Sequence, residues 1–184
     1  MKRIIILLLF NPFILMAQHR ADIVDIPGAT SGQLYQTAQD LFAGTFNSAD
    51  HMTQLNNPVE KRITGKGVTQ IEWLISNTPV IMNVYFTIDT QFKDNKCIYD
   101  IQSSEIKTSG GESYSYEVFK KMGTKEGLKA FYKSKGIPLW IVGKKKFLQN
   151  MGSNQLITAK VENQLQGILD AFSSSLKKGI AANN

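Results

Sequence analysis

The tightest constraint on this chain is the alternation of residues 80 to 92. Val80, Met82, Val84, Phe86, Ile88 and Phe92 share one parity, and Asn83, Tyr85, Thr87, Asp89 and Gln91 hold the other. Successive side chains of an extended strand point to opposite faces, so the pattern predicts a long strand with one apolar face and one wet face. Antiparallel sheets support that division, whereas parallel sheets are covered on both sides. The rest of the chain must cover one face only.

Its flanks supply the means. "ADIVDI" (21–26) alternates and stops at Pro27-Gly28, reading as a short strand. Thr30 and Gln33 stand in capping-box spacing before Leu34, Ala38, Leu41, Phe42 and Phe46, an apolar helical stripe ending near Phe46. "HMTQL" (51–55) is a weak strand, turned at Asn56-Asn57-Pro58. Residues 61–75 form another, with Ile71, Trp73 and Ile75 on one face, and Asn77-Thr78-Pro79 turns the chain into 80–92. After a turn at Lys93–Lys96, residues 97–107 return as the fourth strand of a meander. Leu156, Ile157, Val161, Leu165, Ile168, Leu169, Phe172 and Leu176 then predict a helix over 153–178, capped by Ser153 or Asn154, whose broad stripe suits a sheet. The order predicts an α+β fold, with an antiparallel sheet and helices on one face. Core residues 22–107 and the last helix are separated by a different kind of segment.

That segment, 108–150, is basic and aromatic. "TSGGES" is a flexible joint, followed by Tyr114, Tyr116 and Phe119. "TKEGLKAFYKSKG" predicts a short helix ended by Gly136, after which "IPLWIVG" is an apolar run able to dock and "KKKFLQN" closes the segment. The whole chain has 21 basic and 15 acidic side chains. Nine of the lysines lie between Lys120 and Lys146, against one acid, Glu126. Such asymmetry points to an anionic partner or a solvated face.

Residues 1–17 have the pattern of a secretory signal: Lys2 and Arg3, then the apolar "IIILLLF" and "FILM", then Ala17 at a cleavage position. The stretch is too short and wrongly flanked for a stable transmembrane anchor. The expected product is exported, periplasmic or extracellular, and begins near Gln18. It is not expected to be a lipoprotein, because the sole cysteine is Cys97. One cysteine also forms no internal disulfide, so stability must come from an ordinary core.

Chemistry-bearing motifs are sparse. Gly65-Lys66-Gly67 resembles a phosphate cradle, but a P-loop needs glycine where Glu60 stands and Ser or Thr where Gly67 stands. Glycines within a strand mark a bulge or a close approach instead. Asp50-His51 lacks a nucleophile motif or second ligand, and His19 sits beside the cleavage position. Cys97, at the start of a strand, reads as a small buried hydrophobe. Asp89, Asp94, Asp100 and Glu105 read as turn or polar-face residues rather than a catalytic pair. No cofactor or metal is expected.

The better candidates are binding residues. Lys125, Lys129 and Lys133 form one stripe of the short helix, with Lys120 and Lys121 before it and Leu128, Phe131 and Tyr132 on its other face. A basic amphipathic helix suits an anionic surface. Tyr114, Tyr116, Trp140 and an open sheet face including Tyr85 suit a ligand cleft, or equally a core.

"VDIPGATSGQLYQTAQDLF" followed by "FNSADHMTQLNNPVEKRITGKG" resembles a family of uncharacterised secreted bacterial proteins with a TATA-binding-protein-like fold. The family's Leu-aromatic pair, helix aromatic and Ile-x-Gly-Lys-Gly block fall on Leu34-Tyr35, Phe42 and Ile63–Gly67. Phe42 stands where the family pattern has Trp, and Asn57-Pro58 replaces an acidic, glycine-containing turn. The resemblance spans about residues 22–107 and implies a TATA-binding-protein-like β-α-β4-α core, with 108–150 inserted before the last helix. It implies no activity, and a fold name transfers no DNA binding. The expected function is a non-enzymatic binding or interaction module of the envelope, with an unknown ligand or protein partner and no nucleic acid. The alternatives are an accessory protein held at an anionic surface by the 120–146 lysines, and a small hydrolase using His51 or Cys97.

Overall fold

The computed structural model describes residues 20–45, 55–75 and 78–182. Strand β1 (Arg20–Asp25) leads to helix α1 (Ser31–Thr45), then to β2 (Leu55–Asn57), β3 (Arg62–Ile75), β4 (Thr78–Lys93) and β5 (Lys96–Thr108). A short β6 (Ser113–Ser115) follows, then α2 (Tyr116–Lys121), α3 (Lys125–Ser134), α4 (Leu139–Val142) and α5 (Lys144–Ala182). The strands form one antiparallel sheet in the order β1-β5-β4-β3-β2, with β6 also paired to β5. The fold is α+β, and helices cover one face.

β4 is the spine. It pairs with β3 without interruption from Arg62↔Gln91 to Ile75↔Thr78, and with β5 from Lys93↔Lys96 to Met82↔Thr108. Met82, Val84, Phe86, Ile88 and Phe92 are buried as the alternation predicts. Thr90 shares that face and is also buried, its hydroxyl satisfied by donation to the Ile63 carbonyl at 2.9 Å. Over this face lie Leu34, Ala38 and Phe42 of α1 and Ile157, Val161, Leu165, Leu169, Phe172, Leu176 and Ile180 of α5. The two helices meet at Phe42 and Phe172, whose ring centroids are 5.5 Å apart. Leu156 does not join the stripe and is 60% exposed.

Local chemistry fixes the entry of α1. The Thr30 amide donates to Gln33 Oε1 at 2.9 Å and the Gln33 amide to Thr30 Oγ1 at 3.3 Å, the predicted reciprocal cap. The β4–β5 turn then clamps this corner: Asp94 accepts from the Ser31 amide at 2.7 Å, and Asn95 Oδ1 from the Gly28 amide at 2.8 Å. A carboxylate at a helix N-terminus is favoured by the free amides and the helix dipole.

Several expected boundaries move. Asn56 and Asn57 belong to β2, opposite Ile63 and Arg62. The turn is 58–61, where Asn57 Oδ1 accepts from the Val59 and Glu60 amides and Lys61 takes a φ of 51°. Residues 51–54, Phe46 and the 1–17 leader lie outside the described residues. Thr78 and Pro79 already pair with Ile75 and Leu74, the proline sitting near the strand's start where a missing N–H is tolerated. The last helix begins at Lys144 rather than Ser153: no proline interrupts "KKKFLQNMGSNQ", Gly152 is carried inside the helix, and the Phe147 amide bonds the Gly143 carbonyl at 3.0 Å.

The Gly65-Lys66-Gly67 block carries no bulge, since the β3–β4 register runs straight through it. Gly67 answers to a close approach. It faces Phe86, and a Cβ there would stand 2.4 Å from that ring's Cζ. The slip lies across the sheet instead: Tyr85 faces Glu105 and Phe86 faces Ser103, leaving Ser104 extra on β5. Both serine hydroxyls close on the Tyr85 carbonyl there, at 3.2 and 3.4 Å.

Gly67→Ala should therefore destabilise the protein by about 1–3 kcal/mol through overpacking. The penalty should shrink when Phe86→Leu is combined with it, read by urea unfolding of both single variants and the pair. Equal penalties in the two backgrounds would show that the ring is not the reason.

Candidate functional site

Residues 108–150 fold back onto the body, and aromatic contacts hold them there. Ser115 caps α2 by accepting from the Val118 amide at 3.3 Å, and Thr124 caps α3 by accepting from the Gly127 amide at 3.1 Å. Tyr114 of β6 packs on Phe119 and Phe131, with centroids 6.4 and 6.0 Å apart. Phe131 meets Tyr132 at 5.9 Å, and Tyr132 meets Phe147 of α5 at 6.2 Å. Along α5, Asn150 donates to the Tyr132 hydroxyl at 2.5 Å. Asn154 and Gln155 donate to the carbonyls of Met122 and Gly123 at 3.3 and 2.7 Å, satisfying the end of α2. So Asn154 caps a neighbouring helix and not its own.

Beyond this joint the chain makes a tight excursion. Helix α3 ends in a Schellman turn: the Gly136 amide bonds the Lys133 carbonyl at 3.1 Å and the Ile137 amide bonds the Tyr132 carbonyl at 2.9 Å. Gly136 and Gly143 bracket the excursion with φ of 67° and 71°, values that a side chain resists. Between them Pro138 starts the single turn of α4. The result is an exposed apolar tip. Trp140 is 82% exposed, Ile141 60%, Leu148 49%, Leu139 42% and Ile137 39%. Val142 packs inward against the core cluster and roots the turn.

Charge surrounds the tip. From Gly127 to Val161 the chain has seven lysines and no Asp or Glu. Lys129, Lys133, Lys135, Lys144, Lys145 and Lys146 are all exposed. A shallow groove of about 450 Å³ lies between α3 and the tip, lined by Lys129, Ala130, Lys133 and Gly136 to Leu139. No helix among the described residues is long and apolar enough to cross a membrane.

Residues 21–107 match the family described as a domain of unknown function (DUF4468) with TBP-like fold. The match spans 87 of the chain's 184 residues. It is similar to the crystal structure of a DUF4468 family protein from Bacteroides ovatus, at 17% identity and a TM-score of 0.47, over 54% of this chain and 60% of that one. It is also similar to a TBP-like protein from Parabacteroides distasonis, at 12% identity and a TM-score of 0.48, over 84% of this chain and 91% of that one. No curated protein matches.

Within residues 21–107, the residues that carried the resemblance serve packing. Leu34, Tyr35, Phe42 and Ile63 are buried, and the Tyr35 hydroxyl donates to Asn56 Oδ1. Cys97 is fully buried, and burial pushes its thiol up to about 12. The carboxylates are engaged separately. Asp89 takes Arg62 and Thr64, Asp94 takes Ser31, Asp100 accepts from Gln102, and Glu105 accepts from Ser113. Among the described residues no group of His, Cys, Asp and Glu could hold a metal ion. His19 and His51 lie outside them.

The candidate binding residues divide into two sets. Lys121, Lys125, Lys129 and Lys133 are exposed, and Trp140 projects beside them. Lys120, Tyr114 and Tyr116 belong to the joint. Lys120 pairs with Glu162 at 3.4 Å, and the Tyr116 hydroxyl donates to the same carboxylate at 3.1 Å. The Tyr114 hydroxyl donates to Glu112 at 3.0 Å. Tyr85, on the open sheet face, lies under the Lys107 ammonium at 4.9 Å. The apolar run "IPLWIVG", able to dock by its sequence, mostly projects. Its signal was the pair of glycines that bracket it.

Two expectations follow from the ionisable groups. Cys97 should resist a thiol reagent at pH 8 in the native protein and react on unfolding in urea; rapid native reaction would contradict its burial. Partial burial alone would raise the Asp89 carboxyl, but hydrogen bonds from Arg62 and Thr64 and the Arg62 charge outweigh this and hold it below the usual range. Its folded pKa thus lies below the unfolded one, about 3.9. The stabilisation is complete above that value and is lost as pH falls through the folded one. The pair is largely exposed and contributes under about 1 kcal/mol. Asp89→Asn should flatten the acid limb of stability against pH, and an unchanged limb would remove Asp89 as its source.

Proposed function

We propose that this protein is exported and works in the envelope as a non-enzymatic binding module, with the α3–α5 corner as its contact surface. One observation carries the reading: the exposed apolar tip of Ile137, Leu139, Trp140 and Ile141 sits in the same short stretch as six exposed lysines free of any intervening acid. Apolar side chains clustered on a surface mark interaction sites. The surrounding charge selects an anionic partner, whether an envelope ligand, a protein or the envelope surface itself. Export rests on the leader pattern of residues 1–17.

The open sheet face offers less. It interleaves Asp89, Asp100 and Glu105 with Arg62, Lys66 and Lys107, a charge-balanced surface with no preference for phosphate, and its exposed apolar residues, Ile23, Val68 and Ile81, lie on different strands. No nucleic-acid role is assigned to it. A hydrolase reading gains nothing from Cys97, which is sealed in the core.

The test is retention on the organism's own envelope fraction by the chain from Gln18 onward. Lys125→Glu/Lys129→Glu/Lys133→Glu should lose most of that retention while keeping its circular dichroism, since all three lysines are solvent-facing. Retention unchanged by the triple reversal would place the contact surface elsewhere.

A further inference from the structure

Trp140 is the most exposed side chain of the corner's apolar part, and its setting narrows the kind of partner. Trp140 projects from a one-turn helix between two left-handed glycines, rather than lining a slot into which a peptide or ligand could fit. Ile137, Leu139 and Ile141 accompany it, and Leu148 extends the patch onto the first turns of α5. All basic residues from Gly127 to Val161 are lysines. Lysine is a hydrated point charge on a flexible stem, suited to a diffuse field of anions, whereas arginine forms the planar forks that read a single carboxylate or phosphate. Tryptophan beside such charges is the side chain of membrane–water interfaces, where one edge is apolar and the other wet.

We propose that the partner is an anionic lipid bilayer: Ile137, Leu139 and Ile141 pass below the phosphates, Trp140 lies at headgroup level, and the lysines of α3 and α5 contact the surrounding headgroups. This rests on the reading of the corner as the contact surface and names what it contacts. One helical turn rises roughly 5 Å, the depth to which interfacial helices bury their apolar faces. The Schellman turn and the aromatic row from Tyr114 to Phe147 hold the tip in place before binding, so little ordering is needed on contact. The groove of about 450 Å³ beside the tip has Lys129 and Lys133 on its α3 side and Ile137, Pro138 and Leu139 on the other, so charge and apolar surface meet there as they do at a bilayer's edge.

The experiment uses the chain from Gln18 onward, which keeps every described element and removes an apolar leader that would itself bind lipid. Binding is measured to vesicles of phosphatidylglycerol with phosphatidylcholine, and of phosphatidylcholine alone, at low and high salt. Trp140 fluorescence is isolated by subtracting a Trp140→Phe variant, because Trp73 also emits. The expected result is binding to the anionic vesicles only, with a blue shift of Trp140 and quenching by brominated acyl chains. High salt should weaken binding without abolishing it, and Trp140→Ser should lose roughly tenfold or more in affinity while remaining folded.

Binding released entirely by salt, with no change in Trp140 emission, would overturn insertion and leave a charged contact surface. Absence of vesicle binding, with lysine-dependent retention on the envelope fraction intact, would overturn the lipid assignment in favour of a protein, a polysaccharide or a second copy of this chain. Loss of both would remove the contact-surface reading as well.

Discussion

Burial of one face of β4 is the interaction on which the rest of this structure depends. β4 is paired on both edges, so its backbone is satisfied within the sheet, and its inward side chains set what each neighbour must supply. α1 brings Leu34, Ala38 and Phe42 to that face, and α5 brings the stripe that starts at Ile157. Even the second glycine of the GKG block is explained there. Gly67 is open because the Phe86 ring occupies the space a side chain would take. The fold answers a packing problem first, and nothing in that solution requires chemistry.

That solution leaves the first turns of α5 without a fully buried side chain, although Phe147 and Met151 pack against the core. The helix's first fully buried residue is Ile157, so the turns from Lys144 to Leu156 extend past the apolar stripe for about 20 Å. They are also held by α2 and α3, through Asn150, Asn154 and Gln155. The overhang with α3 and α4 is a well-anchored platform, joined to the core through Leu128 and Tyr132. Its aromatic side faces the body, and its lysines and the Trp140 tip face solvent. Position and composition together are what support the proposal that this corner is the contact surface.

Elements that obey one strong local rule were legible in the sequence. β4 alternates over its length, α1 has both halves of a capping box, and α3 places lysines opposite Leu128 and Tyr132. Where two rules competed, the reading failed. Ser153 and Asn154 resemble an N-cap, yet α5 runs through them and Gly152 with no proline to stop it, and Asn154 donates its amide to the Met122 carbonyl. β6 is three residues long and visible only through its pairing with Glu105 to Lys107. Gly67 looked like a backbone feature because the ring that requires it lies 19 positions away. The tip misled for a different reason. An apolar run normally docks, and only the φ values at Gly136 and Gly143, with the Schellman turn, show the chain being steered outward.

The central claim is that this corner, and not the open sheet face, is the working surface. Amide hydrogen exchange on the chain from Gln18 onward, with and without the envelope fraction, tests it without presuming a partner. The account predicts new protection confined to residues 127–148. Protection appearing on β3, β4 and β5 around Lys66, Tyr85 and Glu105, with 127–148 unchanged, would contradict it.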